Sequence, residues 1–261
     1  MDDGEVPRYP PRPMRSSRRP RSLLAFLSGA IVVVLAGGAC SLDRQPRIAV
    51  PDGIPPGPGV TIPPIDINAP GRSADQLQDW AAGFAGSIGI GITALEAYGY
   101  AAAVMAETNP ACGIGWTTIA GIASVESGHG TFGGSTVGSD GQVTPKIRGI
   151  PLDGRPGVAE IPDTDGGTMD GDTEYDRAMG PLQFIPETWK IWGVDANGDG
   201  VADPDNIDDA SLTAARYLCA RGGDLTTPEG WQLALLAYNL SGEYLSLVRD
   251  RASAYSVGVR P

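Results

Sequence analysis

One carboxylate in this 261-residue chain stands where it could move a proton. Residues 122–130 read Ile-Ala-Ser-Val-Glu-Ser-Gly-His-Gly. Ile119, Ile122 and Ala123 share a helical face with Glu126, so its side chain leaves from an apolar stripe. Burial disfavours the charged form, and so does the negative end of a helix that stops near Gly128 and Gly130. A glutamic acid that keeps its proton near neutral pH is a general acid. The competing reading is a glutamate on a solvated helix end, which does no chemistry.

A second set of residues has the chemistry of a metal loop. Asp195-Ala-Asn197-Gly-Asp199-Gly-Val201-Ala-Asp203 sets oxygens at alternating places with glycine at the sharp turn, as in the first nine positions of an EF-hand loop. Calcium in a structural role is the expected cofactor, with Asp195, Asn197, Asp199, Val201 and Asp203 as its site. The twelfth position holds Asn206 where a bidentate glutamate is usual, so the last ligand must come from Asn206, Asp208 or Asp209. The alternative is a solvated Asp-Asn-Gly turn. Asp163, Asp165, Asp170 and Asp172 offer oxygens for a second cation, at spacings that are not diagnostic. No motif calls for an organic cofactor.

Other catalytic types are poorly provided for. His129 is the only histidine, and no nucleophile elbow accompanies it, so serine or cysteine protease chemistry is disfavoured. It reads as a loop residue near a cleft. Cys112 and Cys219 form an isolated pair beyond Cys40. In an exported protein such a pair most simply makes a disulfide, the alternative being two buried thiols.

Helices must position these groups. Ser73 starts one with an apolar face through Leu77, Trp80, Ala81 and Phe84, and a second covers about Thr93–Glu107 until Pro110 ends it. The helix bearing Glu126 begins near Trp116. Pro186 opens a short one through Trp192, and a longer one spans about Asp209–Arg221. Thr226 and Glu229 give the next a capping-box start, with Trp231, Leu235 and Tyr238 on one face. The last covers about Gly242–Ala252. No run alternates as a strand would, so the domain is expected to be mainly α. Between Thr131 and Arg177 a Gly/Asp-rich stretch is too long for an ordinary connection.

The N-terminal region reads differently. Arg8, Arg12, Arg15, Arg18, Arg19 and Arg21 precede an uncharged run, Leu23–Ala39, that ends in small residues. This is the layout of a secretory signal, or of an anchor if it is retained. Leu35–Cys40 resembles a bacterial lipoprotein signal, in which Cys40 is acylated, but departs from it at Gly37. The chain therefore divides into 1–40 as signal or membrane anchor, 41–72 as a Pro/Gly-rich tether, and 73–261 as one catalytic domain. The formal net charge is −12 although six arginines crowd the first 22 residues, so nucleic-acid binding is disfavoured.

Three segments join Glu126: Cys112-Gly-Ile-Gly-Trp116, Ala178-Met-Gly180-Pro-Leu-Gln183-Phe184-Ile-Pro186 and Ala237-Tyr238-Asn239. With these motifs in this order, residues 73–255 resemble the lytic murein transglycosylases of actinobacteria, relatives of the membrane-bound lytic transglycosylase B group, with a lysozyme-like fold. The resemblance implies Glu126 as single acid/base, Gln183 in the cleft beside it, and Tyr238 and Asn239 on the opposite wall. Ser127, Gly180 and Phe184 complete the implied substrate site. It also implies a monomer in the cell-envelope space whose partner is the peptidoglycan strand, cut with a 1,6-anhydro product. A conventional glycosidase needs two carboxylates, and the motifs supply one. Two alternatives stay open: hydrolysis with a loop aspartate (Asp163, Asp165, Asp170 or Asp172) positioning water, and a tethered wall-binding protein that does not cut.

Overall fold

The computed structural model describes residues 48–261, and Cys40 with the whole signal segment lies outside them. A 3-10 turn, Ser73–Leu77, leads into short helices α1 (Gln78–Ala82) and α2 (Ala85–Ile88). Two longer helices follow, α3 (Ile92–Thr108) and α4 (Trp116–Ser127). Four short strands come next: β1 (Thr136–Val137), β2 (Val143–Thr144), β3 (Arg148–Pro151) and β4 (Arg177–Met179). The chain ends in α5 (Pro186–Trp192), α6 (Ile207–Gly222), α7 (Pro228–Tyr238) and α8 (Gly242–Ser256). The described domain is mainly helical, as its periodicity predicts. Among the described residues no helix is long and apolar enough to cross a membrane.

Helix α3 runs through the core: Ala94, Leu95, Ala97, Tyr98, Ala101, Ala102 and Met105 are all buried. It packs on α6, and α4 packs on α8. The second pair meets closely because Gly121 has no side chain; a Cβ there would stand 2.8 Å from the Val248 carbonyl and 3.1 Å from the Ala252 methyl. Cys112, in the turn before α4, is bonded to Cys219 on α6, with 5.4 Å between their Cα atoms.

The chain before Ser73 is irregular, as its prolines predict, yet from Gly57 onward it is no free tether. The Trp116 indole N–H donates to the Val60 carbonyl (3.0 Å), the Thr117 hydroxyl to Gly57 (2.7 Å) and the Tyr100 hydroxyl to Ile67 (3.0 Å). Ile62, Ile65 and Ile67 pack on the core. At its end Arg72 grips the fully buried Asp208 through two nitrogens, at 2.7 and 2.9 Å, and also pairs with Glu96 and Asp75. This strap is part of the folded body.

The long Gly/Asp-rich stretch forms two small antiparallel pairs, β1 with β2 and β3 with β4. Helix α7 is capped by Thr227, whose hydroxyl accepts from the Gly230 N–H, and Pro228 takes its first position. Thr226, read as the cap, instead donates its hydroxyl to Asp224.

Candidate active site

Glu126 sits on the last turn of α4 and faces a cleft of about 710 Å³. Burial pushes its carboxyl up to about 7, although the Tyr244 hydroxyl donates to Oε1 at 2.6 Å and so favours the charged form. Tyr244, from the first turn of α8, lies parallel to Tyr238 with ring centres 6.4 Å apart. Burial raises the pKa of both phenols well above the ordinary range, and they stay neutral. Tyr238 donates to the Leu182 carbonyl at 2.7 Å, which leaves its ring as the wall of the cleft.

Gln183 lines the same cleft. Its backbone is left-handed, with φ 51°, clasped by the paired backbones of Met179 and Phe184, and its amide donates to Gly180 at 2.8 Å. The amide oxygen is left to meet a ligand. Phe184 lies between Trp189 and Tyr238 and Asn239 stands on the exposed rim, and both line the cleft. The arm between Thr131 and Arg177 closes the other side with Ile150, Leu152, Val158 and Ile161.

Two of the expected binding residues stand beneath the cleft. Ser127 is buried; its hydroxyl donates to Pro181 at 2.6 Å and accepts from the Gly130 N–H at 2.8 Å. It pins the end of α4 to the turn that carries Gln183. Gly180 does comparable work, because at φ 69° a Cβ would fall 1.8 Å from the Pro204 carbonyl. Neither lines the cleft. Tyr244 was not marked by any motif. Its sole signal is its place in the first turn after Tyr238-Asn239, on an apolar helix face.

The acidic loop keeps the turns its pattern predicts. Asp195 accepts from Gly198 and Gly200 N–H groups, both at 2.8 Å, and the Asn197 amide reaches Asp199 at 3.0 Å. Val201 is exposed, and Asp203 is turned away to the Asp205 N–H and the Gln142 amide. Of the three candidates for the last ligand, Asn206 caps α6 through the Asp208 N–H, and Asp208 is taken by Arg72. Asp209 alone reaches back, accepting from Ala196 and Asn197 with one oxygen and from Asp203 with the other. Burial pushes its carboxyl up to about 7, and the Asp195 charge adds to the shift. Aspartate and asparagine oxygens are of the hard donor type that a divalent cation takes.

In the arm, Asp163 and Asp165 come together with the buried Asp176, one oxygen of each lying within 4.8 Å of the others. Asp170 and Asp172 are instead taken up by the N–H and the guanidinium of Arg177.

Residues 166–244 match the family described as Transglycosylase SLT domain. The match covers less than a third of the chain. It takes in Gln183, Phe184, the acidic loop, Tyr238, Asn239 and Tyr244, and leaves Glu126 outside. It supports a lytic transglycosylase that works on peptidoglycan, and the helical architecture is consistent with a lysozyme-like SLT domain. No curated protein and no solved structure matches the chain.

Proposed function

We propose that this chain is a peptidoglycan lytic transglycosylase, cutting the β-1,4 bond between N-acetylmuramic acid and N-acetylglucosamine with Glu126 as its single acid/base. The observation that carries the reading is a half-buried carboxyl, pushed up to about 7, that lines one cleft with Gln183 and Tyr238. In the first step the Glu126 O–H gives its proton to the glycosidic oxygen as the C1–O bond breaks. The acetamido oxygen of the muramic acid steadies the developing charge at C1. Glu126, now a carboxylate, takes the proton of the C6 hydroxyl while O6 bonds to C1, and the acetamido group is released. The 1,6-anhydro ring closes without water, and Glu126 ends protonated again. A pKa near 7 suits a group that is acid in one half of the cycle and base in the other.

The cleft favours this over hydrolysis. Among the described residues that line it, Glu126 is the one carboxylate, and a conventional glycosidase needs a second across the bond. Asp163 spends its oxygens on three N–H groups and Asp170 and Asp172 theirs on Arg177 and nearby N–H groups, while Asp165 takes the Met169 N–H with one oxygen, leaves the other buried without a partner, and does not line the cleft. A wall-binding protein that does not cut has no need of a proton-retaining acid. The wild-type chain should solubilise peptidoglycan sacculi, and Glu126→Gln should lose that activity by about three orders of magnitude or more with an unchanged circular dichroism spectrum. Full activity in the variant would take Glu126 out of the chemistry and remove this reading; no release by the wild type would leave the binding reading standing.

The same reading puts the protein outside the cytoplasm as a monomer, carried there by the N-terminal segment and either released or held through it. Calcium stiffens the Asp195–Asp209 segment in this proposal. Asp195, Asn197 and Asp199 are its ligands with Asp209 behind them, and the metal has no part in bond cleavage. Added calcium should raise the melting temperature of the wild type and leave that of Asp195→Ala/Asp199→Ala unmoved. Equal melting of the wild type in calcium and in chelator would dismiss the metal.

A further inference from the structure

On the opposite face of α4 from the cleft lies a second cavity, of about 570 Å³. Ser124 and Glu126 are two residues apart on one helix, so their side chains leave on nearly opposite sides. The cavity's walls include Thr93, Ser124, His129, Arg251, Tyr255 and Arg260. Among the described residues no Asp or Glu side chain lines it, in a chain that carries 31 acidic residues against 19 basic ones; Pro261 stands among the lining residues beside Arg260, and its terminal carboxyl makes no ion pair there.

Its two arginines are the decisive feature. Neither Arg251 nor Arg260 forms an ion pair among the described residues, and of the arginines without one, Arg216 and Arg221 lie elsewhere, against Trp192 and Tyr217, while these two share the wall of one cavity. Arg260 lies across Gly89, where a Cβ would come within 2.9 Å of its Nε. Both guanidinium charges bear on the Tyr255 hydroxyl, and that of Arg251 bears on His129 as well, so the two cations converge on one wall. Tyr255 and His129 are fixed in turn: the imidazole is held between the Tyr255 hydroxyl at 2.9 Å and the Tyr98 hydroxyl at 3.1 Å. Burial lowers its pKa to about 4, so it is neutral at ordinary pH and the positive charge on this wall comes from the two arginines. The first turn of α3 lines the same space, with no side chain capping its N–H groups.

We propose that this cavity is a binding site distinct from the cleft, taking a small oxyanion, a carboxylate or phosphate group, between Arg251 and Arg260. A planar guanidinium pairs with either group through two parallel N–H···O bonds. The hydroxyls of Thr93 and Ser124 supply further donors. At about 570 Å³ the cavity has room for such a group together with part of the molecule that carries it, and the proposal does not depend on what the cleft cuts.

Titration calorimetry on the full chain tests it, with inorganic phosphate as one probe and N-acetyl-D-alanyl-D-alanine, for its terminal carboxylate, as the other. At least one probe should bind saturably and more weakly as sodium chloride is raised, and the tighter of the two identifies the source of the anion. Arg251→Gln/Arg260→Gln should weaken that binding about ten-fold or more. Glu126→Gln should leave it unchanged, which separates this site from the glycan-cutting reading. If neither probe binds saturably, or if the double variant binds as the wild type does, the site does not exist. Should the double variant fail to fold, Arg260→Gln on its exposed side chain decides: weaker binding supports the site and unchanged binding removes it.

Discussion

Glu126 is tuned by two opposed neighbours. Burial raises its pKa to about 7, and the hydrogen bond from Tyr244 holds the rise in check. The sign of a Tyr244→Phe change follows. Without the donor the charged form loses support, the pKa climbs further, and the acid stays protonated to higher pH. The alkaline limb of the pH–rate profile should therefore move upward by about one pH unit, with a lower maximum from the looser carboxylate. A purely structural role for Tyr244 would lower the rate and leave the limb in place. At this scale the motifs marked Glu126, Gln183, Phe184, Tyr238 and Asn239 in the cleft. They assigned Ser127 to the same surface, although it is spent on Pro181. A motif records which residue is present and not which way it points. Tyr244 is 118 positions from its partner, a separation that only the completed fold closes.

Helix α4, which carries Glu126, owes its placement to α8. Gly121 lets the two approach until the Val248 carbonyl fills the space a side chain would need. Gly121→Ala should destabilise the protein by about 1–3 kcal/mol through overpacking, read as a lower midpoint in urea at unchanged slope. A midpoint equal to the wild type would mean that the helices separate freely and do not fix Glu126. The helices themselves were legible where period and punctuation agree. Pro110 precedes the turn into α4, Pro186 opens α5, and Asp208 and Asp209 crowd the start of α6. The cap of α7 is misread by one position because Asp224 captures the Thr226 hydroxyl and Pro228 sets the first turn. The proline-rich strap looks like free chain in the sequence because docking has no period. Ile62, Ile65 and Ile67 declare themselves only against a surface assembled from distant helices.

Across the whole molecule, two distant ties hold the core shut. Arg72 carries the strap onto the start of α6 through Asp208, and Cys112–Cys219 joins the turn before α4 to the end of α6 over 107 residues. Closing a loop of that length stabilises the fold by up to about 4–5 kcal/mol in the chain-entropy account. Cys112→Ser/Cys219→Ser should therefore unfold at markedly lower denaturant than the wild type, and an equal midpoint would deny the bridge a structural role. An isolated pair of cysteines in a chain with an export-like start is enough to predict this bridge. The arm over the cleft was visible as a long Gly/Asp-rich interruption, but its two small strand pairs were not, since segments of two to four residues carry no readable alternation.

The central claim, one carboxylate acting first as acid and then as base, has a direct chemical signature. Mass analysis of the muropeptides released from sacculi distinguishes an anhydro end from a reducing end by the mass of one water. The account predicts anhydro-muramic ends from the wild type and no release by Glu126→Gln. Products that all carry reducing ends would show that water entered the bond, and would contradict it.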